Sequence, residues 1–130
     1  MSKTVYLSAA FGRQAELREY RDELTRSGFE VCSRWLDEVA NEEEVPANEL
    51  SWIAQRNRYD LERSSTLIAF TEPSGAGPAR GGRHVEYGYA LARRAWVIIV
   101  GHRENVFHHL ADCIYVETWP EAMKLLARWA

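Results

Sequence analysis

The sequence has little cysteine and no excess of basic residues. Its two cysteines, Cys32 and Cys113, lie far apart and outside any C-x-x-C motif, so we expect two reduced thiols. Against 19 aspartates and glutamates there are 16 lysines and arginines, which gives a net charge of -3. A domain with this charge lacks the general basic surface that binds duplex nucleic acid.

Long apolar runs are absent as well. No run approaches the roughly 18–20 residues that a membrane-spanning helix needs. Residues 1–6 lead straight into a strand-like pattern, without the apolar segment of a signal peptide. We therefore expect a cytoplasmic protein with no membrane partner. With 130 residues, 46% of them apolar and 27% charged, the chain has the size and composition of one soluble domain, residues 1–130.

Short strand-like segments alternate with longer helix-like segments along the chain. Apolar alternation and short apolar runs predict five strands, at 3–9, 29–32, 66–70, 96–100 and 113–116. Apolar spacings of three and four predict helices at 14–27, 50–63, 84–94 and 119–129, and a short one at 103–110. Gly28, directly after the first helix, predicts the left-handed residue that ends many helices.

This order of elements predicts a three-layer α/β fold around a parallel five-stranded sheet. Strands that alternate with helices are typical of parallel sheets covered on both faces, and crossovers are right-handed. We favour a flavodoxin-like (Rossmann-like) strand order of 2-1-3-4-5. Ligands of such sheets bind outside the carboxyl ends of the strands, where we expect the loops after Ala9, Phe70 and Val100 to meet.

Glu86 has the most informative position in this pattern. It follows a segment, 71–82, that contains four glycines, and we place it in the first turn of the next helix. So many glycines fit a ligand that approaches the backbone closely. The helix dipole alone also favours an acidic side chain at a helix start. The residues by themselves leave a functional and a structural Glu86 equally open.

No other familiar catalytic or cofactor motif is present in the sequence. The glycine-rich segment lacks the third glycine of a dinucleotide fingerprint and the Gly-Lys-Ser/Thr of a P-loop, although Arg80, Arg83 and the helix start could hold an anion. None of the four histidines is paired at the i, i+4 spacing of a zinc-binding helix. A Gly-x-Ser-x-Gly elbow is missing too. We therefore predict no metal site and no cofactor.

Three segments together carry the pattern of a known family. They are Val5-Tyr6-Leu7, the segment 60–69 in which Asp60 precedes an apolar strand, and the helix 82–92 with Glu-x-Gly-x-Ala beginning at Glu86. The chain thereby resembles the nucleoside 2-deoxyribosyltransferases and the related 2′-deoxynucleoside 5′-monophosphate N-glycosidases, from Val5 to about Trp129. The resemblance implies an enzyme of nucleotide salvage. It would cleave the N-glycosidic bond of a 2′-deoxynucleoside or its 5′-monophosphate and pass the sugar to another base or to water.

The resemblance also implies catalytic roles for three side chains. Glu86 would attack C1′ of the sugar and form a covalent glycosyl ester. Tyr6 would hold the carboxylate of Glu86 in position. Asp60 would contact the base and help to protonate it as it leaves. Two carboxylates with different pKa values can divide such work, and we expect Glu86 ionised and Asp60 able to carry a proton.

Further residues are implied to bind the substrate. Asn105 resembles a residue that reaches the 5′ side of the sugar from a neighbouring subunit, which implies a homodimer or a higher homo-oligomer. We expect Trp96, Phe107 and Trp119 to supply apolar surface for it. Arg80 stands where the transferases carry an acid, which favours a 5′-phosphate. The remaining candidates for substrate binding come from the two loops, and they are Gly12, Arg13 and Gly82.

Two other functions and one structural alternative stay open. The chain could be a non-catalytic nucleotide-binding module on the same fold, or a flavodoxin-like interaction domain without a small ligand. A helix that is continuous over 50–63 would carry Asp60 away from the carboxyl edge of the sheet. A break near Asn57 would instead place Asp60 in the first turn of a new helix. We expect Trp52, Ile53 and Leu61 to face inward.

Overall fold

A parallel sheet of five strands forms the centre of the fold. The computed structural model describes residues 3–38, 45–73 and 81–129, so Arg80 and the acidic run 42–44 lie outside the described residues. The strand order is β2-β1-β3-β4-β5, which confirms the predicted flavodoxin-like arrangement. The strands are β1 (Thr4–Ser8), β2 (Glu30–Val31), β3 (Thr66–Phe70), β4 (Trp96–Val100) and β5 (Cys113–Val116).

Four α-helices cover the two faces of this sheet. They are α1 (Gln14–Arg26), α2 (Ala47–Arg63), α3 (Gly82–Ala92) and α4 (Trp119–Trp129). Helices α2 and α3 contact each other and β1, so they share one face. Helices α1 and α4 share the other, where Tyr20 of α1 stacks on Trp119 of α4 at 4.4 Å between ring centroids. None of the helices in the described ranges combines the length and apolar character needed to cross a membrane.

The register of the strands decides which side chains reach each face. All five residues of β3 are buried, as expected for a central strand covered on both sides. Ser8 pairs with Ala69, and Phe70 pairs with Val100. Since side chains alternate along a strand, Tyr6 and Ser8 point towards α2 and α3. Phe70 points the opposite way and stacks on Tyr20.

Two left-handed glycines set helix boundaries near the carboxyl and amino edges of the sheet. Gly28 has a φ of 91°, and its N–H and that of Phe29 bond back to the carbonyls of Thr25 and Leu24. This is the Schellman end, and it confirms the prediction for Gly28. Gly81, with a φ of 87°, starts α3 two residues earlier than predicted. Glu86 therefore lies in the second turn of α3, and its predicted place in the first turn is wrong.

Helix α2 differs from its prediction in two ways. It is continuous from Ala47 to Arg63, without a break near Asn57, so Asp60 lies in its last turn. Leu61 is buried as predicted. Trp52 was predicted to face inward, yet it is 59% exposed, and the guanidinium of Arg56, one turn further along α2, lies over its ring at 5.2 Å from the ring centre.

The aromatic surface expected for self-association is only partly present. Trp96 and Phe107 are 47% and 62% exposed. Trp119, in contrast, is buried, because its ring stacks on Tyr20 and its indole N–H donates to Glu23 at 3.0 Å. The expectation that Trp119 offers apolar surface is therefore wrong.

Candidate active site

Two hydroxyl groups of β1 hold the carboxylate of Glu86. Tyr6 donates a hydrogen bond to Oε2, and Ser8 donates one to Oε1 at 2.7 Å. The two donors are two residues apart on the strand, so both side chains face α3. The structure therefore brings Glu86 and Tyr6 together, as the resemblance implies. The sequence analysis did not single out Ser8, although it lies two residues after Tyr6 and therefore on the same face of the strand.

The electrostatic environment of Glu86 consists of burial and neutral donors. Burial raises the pKa of Glu86, and the hydrogen bonds from Tyr6 and Ser8 offset only part of that effect. Burial and the nearby carboxylate raise the pKa of Tyr6 well above its usual range, so its hydroxyl keeps the proton that it donates. No cation among the described residues pairs with Glu86. A carboxylate held in this way is oriented without being neutralised.

Asp60 lies in a contrasting environment, paired with Arg34. Asp60 is completely buried. The guanidinium of Arg34 donates to Oδ1 from Nε at 3.0 Å and from Nη2 at 2.8 Å, and the backbone N–H of Arg34 donates to Oδ2 at 3.1 Å. These bonds raise the pKa of Arg34. A guanidinium that donates to a carboxylate in this way makes a charge-assisted pair, and the sequence did not predict this partner for Asp60.

The inner face of α2 carries more polar residues than the sequence suggested. Arg56, Asn57 and Asp60 lie within about one turn of each other, on the side that contacts β1 and α3. The guanidinium of Arg56 binds Glu38 at 3.0 Å. Its positive charge also counteracts the rise in the pKa of Tyr6, which indicates that it lies near the Tyr6–Glu86 pair. The sequence signal for these residues was available, since polar side chains recur there at helical spacing on a face that packs against the sheet.

Arg13 faces a different space from Glu86. Its guanidinium donates to both carboxylate oxygens of Glu16, at 2.9 and 2.7 Å, and to the carbonyl of Thr71 at 3.2 Å. It lines a cleft of about 310 Å³ that also includes Tyr20 and Trp119, on the α1 and α4 face. Gly12, beside it, is exposed, and a Cβ there would meet no atom within 4 Å. The structure does not bring Arg13 to the carboxylate of Glu86.

The start of α3 and the loop after β4 contain the remaining described candidates. Gly82 is the exposed first residue of α3, and the next residue, Arg83, pairs with Glu104 at 2.7 Å. Asn105 is exposed and caps the 3-10 turn Val106–His109, because its Oδ1 accepts from the N–H of Phe107 at 2.9 Å. The side chain of Asn105 therefore caps its own loop in this structure. In the described ranges, no three His, Cys, Asp or Glu side chains come together to hold a metal ion.

Comparison with known proteins finds similar structures. No family model matches the sequence, and no curated protein matches it. The structure is similar to a 2-deoxyribosyltransferase from Bacillus psychrosaccharolyticus, with a TM-score of 0.71, 14% identity, and coverage of 92% of this chain and 89% of that one. It is also similar to the CMP N-glycosidase BcmB of Clostridium botulinum, with a TM-score of 0.62, 19% identity, and coverage of 98% and 100%.

A third similar structure is a conserved protein of Enterococcus faecalis V583, with a TM-score of 0.57, 14% identity, and coverage of 98% of this chain and 88% of that one. At such identities the likeness establishes the fold. The two enzymes among these neighbours are of the kinds that the sequence resembles.

Proposed function

We propose that this chain cleaves the N-glycosidic bond of a 2′-deoxynucleoside or its 5′-monophosphate through a covalent ester on Glu86. The observation that carries the proposal is the carboxylate of Glu86, which two hydroxyl groups orient and no described cation neutralises. It lies on a fold shared with a 2-deoxyribosyltransferase and a CMP N-glycosidase. Perturbed, partly desolvated carboxylates are typical of catalytic sites.

The proposed reaction has two steps at C1′ of the sugar. In the first, an oxygen of Glu86 forms a bond to C1′ while the bond from C1′ to the base nitrogen breaks. The base leaves with the electron pair and takes up a proton. In the second, water or another base attacks C1′, loses a proton, and releases the carboxylate. With water the products are free base and free sugar, and with a second base the product is a new nucleoside.

Tyr6 and Ser8 serve this reaction by orientation. A carboxylate that accepts one hydrogen bond at each oxygen has a fixed plane, so its attack on C1′ does not require a search over rotamers. The raised pKa of Tyr6 keeps this donor neutral throughout the cycle. In the transition state, the negative carboxylate also stabilises the positive charge that develops on the sugar ring.

Asp60 is the proposed contact for the departing base. Its oxygens are engaged by Arg34, so a base would have to replace one of these bonds to reach it. Exchange of one partner for another costs less than the loss of a partner, because a buried acceptor is never left unsatisfied. Arg34 is half exposed and can turn towards solvent.

The remaining residues belong to the proposal as substrate contacts. The amino end of α3 at Gly82 offers backbone N–H groups and the positive end of the helix dipole to a 5′-phosphate. Arg80 is a second candidate for that phosphate. Gly12 and Arg13 would contribute from the first loop only if Arg13 exchanged Glu16 for the ligand. Asn105 would act from a neighbouring subunit of a cytoplasmic homo-oligomer.

The decisive experiment is an assay of the four 2′-deoxynucleosides and their 5′-monophosphates, with and without a second free base. Free base released without an acceptor identifies a hydrolase, and a new nucleoside formed only with an acceptor identifies a transferase. A slow 2-fluoro sugar substrate should add the mass of the fluorosugar, with any 5′-phosphate it carries, to the peptide that contains Glu86, since fluorine slows the second step. Mass spectrometry of digested protein detects that adduct.

Glu86→Gln is the matched negative control, because the amide keeps the size of the side chain and cannot form the ester. No turnover of any of the eight substrates, together with equal nucleotide binding by the wild type and Glu86→Gln, would refute the proposed enzymatic activity. A nucleotide-binding module would then be the better description of the chain.

A further inference from the structure

Two neighbouring residues of α2 have buried polar atoms that no group in the described residues satisfies. Within the described part of the chain, Nε of Arg56 and Oδ1 of Asn57 are buried and lack a hydrogen-bond partner, and the only other such side-chain atom there is Nε of Arg83. Buried polar atoms in native proteins are nearly always paired. One unpaired donor beside one unpaired acceptor therefore indicates a ligand that offers the opposite pair.

The position of these atoms relates them to the Glu86 site. Arg56 and Asn57 lie four and three residues before Asp60, so all three occupy neighbouring positions on one face of α2. That helix packs against β1 and α3, which carry Tyr6 and Glu86. Asp60 has its oxygens bonded to Arg34. The free hydrogen-bonding groups on this part of α2 are therefore those of Arg56 and Asn57.

The side chain of Arg56 is also held in place by the protein itself. The Nη2 of Arg56 binds Glu38 at 3.0 Å, and the side chains of this pair are only 14% and 19% exposed. The backbone carbonyl of Glu38 accepts in turn from the side-chain amide of Gln14 at 2.8 Å. The terminal nitrogen of Arg56 is thus anchored while its Nε–H stays free. A group fixed in this way discriminates between ligands, since it cannot turn to suit a poor partner.

We propose that Arg56 and Asn57 recognise the hydrogen-bonding edge of the nucleobase and set which base the enzyme releases. This inference rests on the proposed function. Every nucleobase edge presents acceptors and N–H donors at fixed positions in one plane, and the order of donor and acceptor differs between bases. Nε–H of Arg56 donates to a ring nitrogen or carbonyl of the base, and Oδ1 of Asn57 accepts from its N–H or amino group.

The experiment compares the kcat/KM values of the four 2′-deoxynucleoside 5′-monophosphates for the wild type, Asn57→Leu and Arg56→Lys. Leucine keeps the branched shape of Asn57 and removes its acceptor. Lysine keeps a charge for Glu38 and removes the Nε–H. Gln55→Leu is the matched control, because Gln55 is an exposed amide on the same helix that bonds to Ser51. We expect both test variants to reduce the preference for the best base by about 10- to 100-fold, the range for losing a buried hydrogen bond, and the control to preserve it.

A loss that is equal for all four bases would overturn the inference, because it would place these residues against the sugar or give them a structural role. Unchanged preferences would overturn it too, since water would then satisfy the two atoms. The proposed function fails separately if the wild type turns over no substrate. In that case calorimetry measures the binding of free adenine, guanine, cytosine and thymine. Equal binding by the wild type and Asn57→Leu overturns the inference.

Discussion

Glu86 and Asp60 are acidic side chains on the same side of the sheet, and the protein satisfies them in opposite ways. Glu86 accepts from two neutral hydroxyl groups and forms no ion pair with a described cation. Asp60 accepts from a guanidinium and from a backbone N–H. Removing a carboxylate from water is expensive unless an opposite charge compensates it. The comparison therefore separates a carboxylate that is held by neutral donors from one that is paired with a cation.

The two carboxylates also differ in how much of the free-energy cost of their burial is offset. At Asp60 the ion pair with Arg34 offsets the cost of removing the carboxylate from water, and it also joins α2 to the segment after β2. At Glu86 the charge is only partly compensated, and burial raises the pKa of the group. A folded protein tolerates such strain mainly where function needs it. Three experiments test this division, from the largest expected effect to the smallest.

Turnover should depend far more on Glu86 than on Asp60. We expect Glu86→Gln to lower kcat by at least about 10³-fold, because the covalent step has no substitute. Asp60→Asn should lower it by about 10²-fold, the size of a lost contact that helps protonation. Single-turnover kinetics on the best substrate measures both. Equal losses would show that the two carboxylates act as one unit and would remove the contrast.

Stability should depend more on the partner of Asp60 than on a surface cation. Arg34→Met leaves Asp60 buried without its cation, and we expect the free energy of unfolding to fall by about 3 kcal/mol. Arg63→Met is the control, because Arg63 pairs with Glu30 at 3.2 Å on the surface, with both side chains more than 40% exposed, and should change stability by less than about 1 kcal/mol. Urea unfolding at pH 7 measures both. A similar small change in the two variants would contradict a structural role for the Arg34–Asp60 pair.

The free energy of unfolding should also depend on pH, because Glu86 forms no ion pair with a described cation and its pKa is raised. The folded protein holds the proton of Glu86 above the ordinary pKa of 4.5, so the native state binds more protons than the unfolded state between that value and the raised one. The contribution of Glu86 to the free energy of unfolding is then fully present below pH 4.5 and is lost as the pH rises through the raised pKa. We expect Glu86→Gln to be more stable than the wild type at pH 7, because the amide carries no charge to remove from water.

The advantage of Glu86→Gln should shrink towards zero as the pH falls below 4.5. Thermal unfolding over pH 4 to 8 measures this trend, with Glu19→Gln, an exposed position on α1, as the control. An advantage that grew on acidification would reverse the assignment and would mean that Glu86 is stabilised as an anion.

Much of the fold followed from local patterns in the sequence. The runs 66–70, 96–100 and 113–116 match β3, β4 and β5 residue for residue, because short apolar runs between turn residues leave little freedom in strand bounds. The start of α3 was missed because it depends on one left-handed glycine, Gly81. A sequence with several adjacent glycines does not show which of them adopts that conformation.

The site was less predictable, because periodicity shows which residues share a face of a helix or strand. It does not show which side chains pair across elements. The pattern pointed to Glu86 and, through the resemblance, to Tyr6 and Asp60. It did not show that Asp60 meets Arg34, which lies 26 residues away in sequence, or that Ser8 completes the environment of Glu86. Which polar groups meet across layers depends on register and helix rotation, and both follow from packing of the whole chain.

The hydrogen bond between Tyr6 and Glu86 joins residues 80 positions apart, and this separation has a consequence for the growing chain. Contacts between distant segments form late, because the loop between them must close first. A chain that has emerged only through β3 already has the hydroxyl groups of Tyr6 and Ser8 but no carboxylate for them to hold. The oriented Glu86 thus arises together with the docking of α3. Nascent or partly unfolded chains therefore lack the oriented carboxylate.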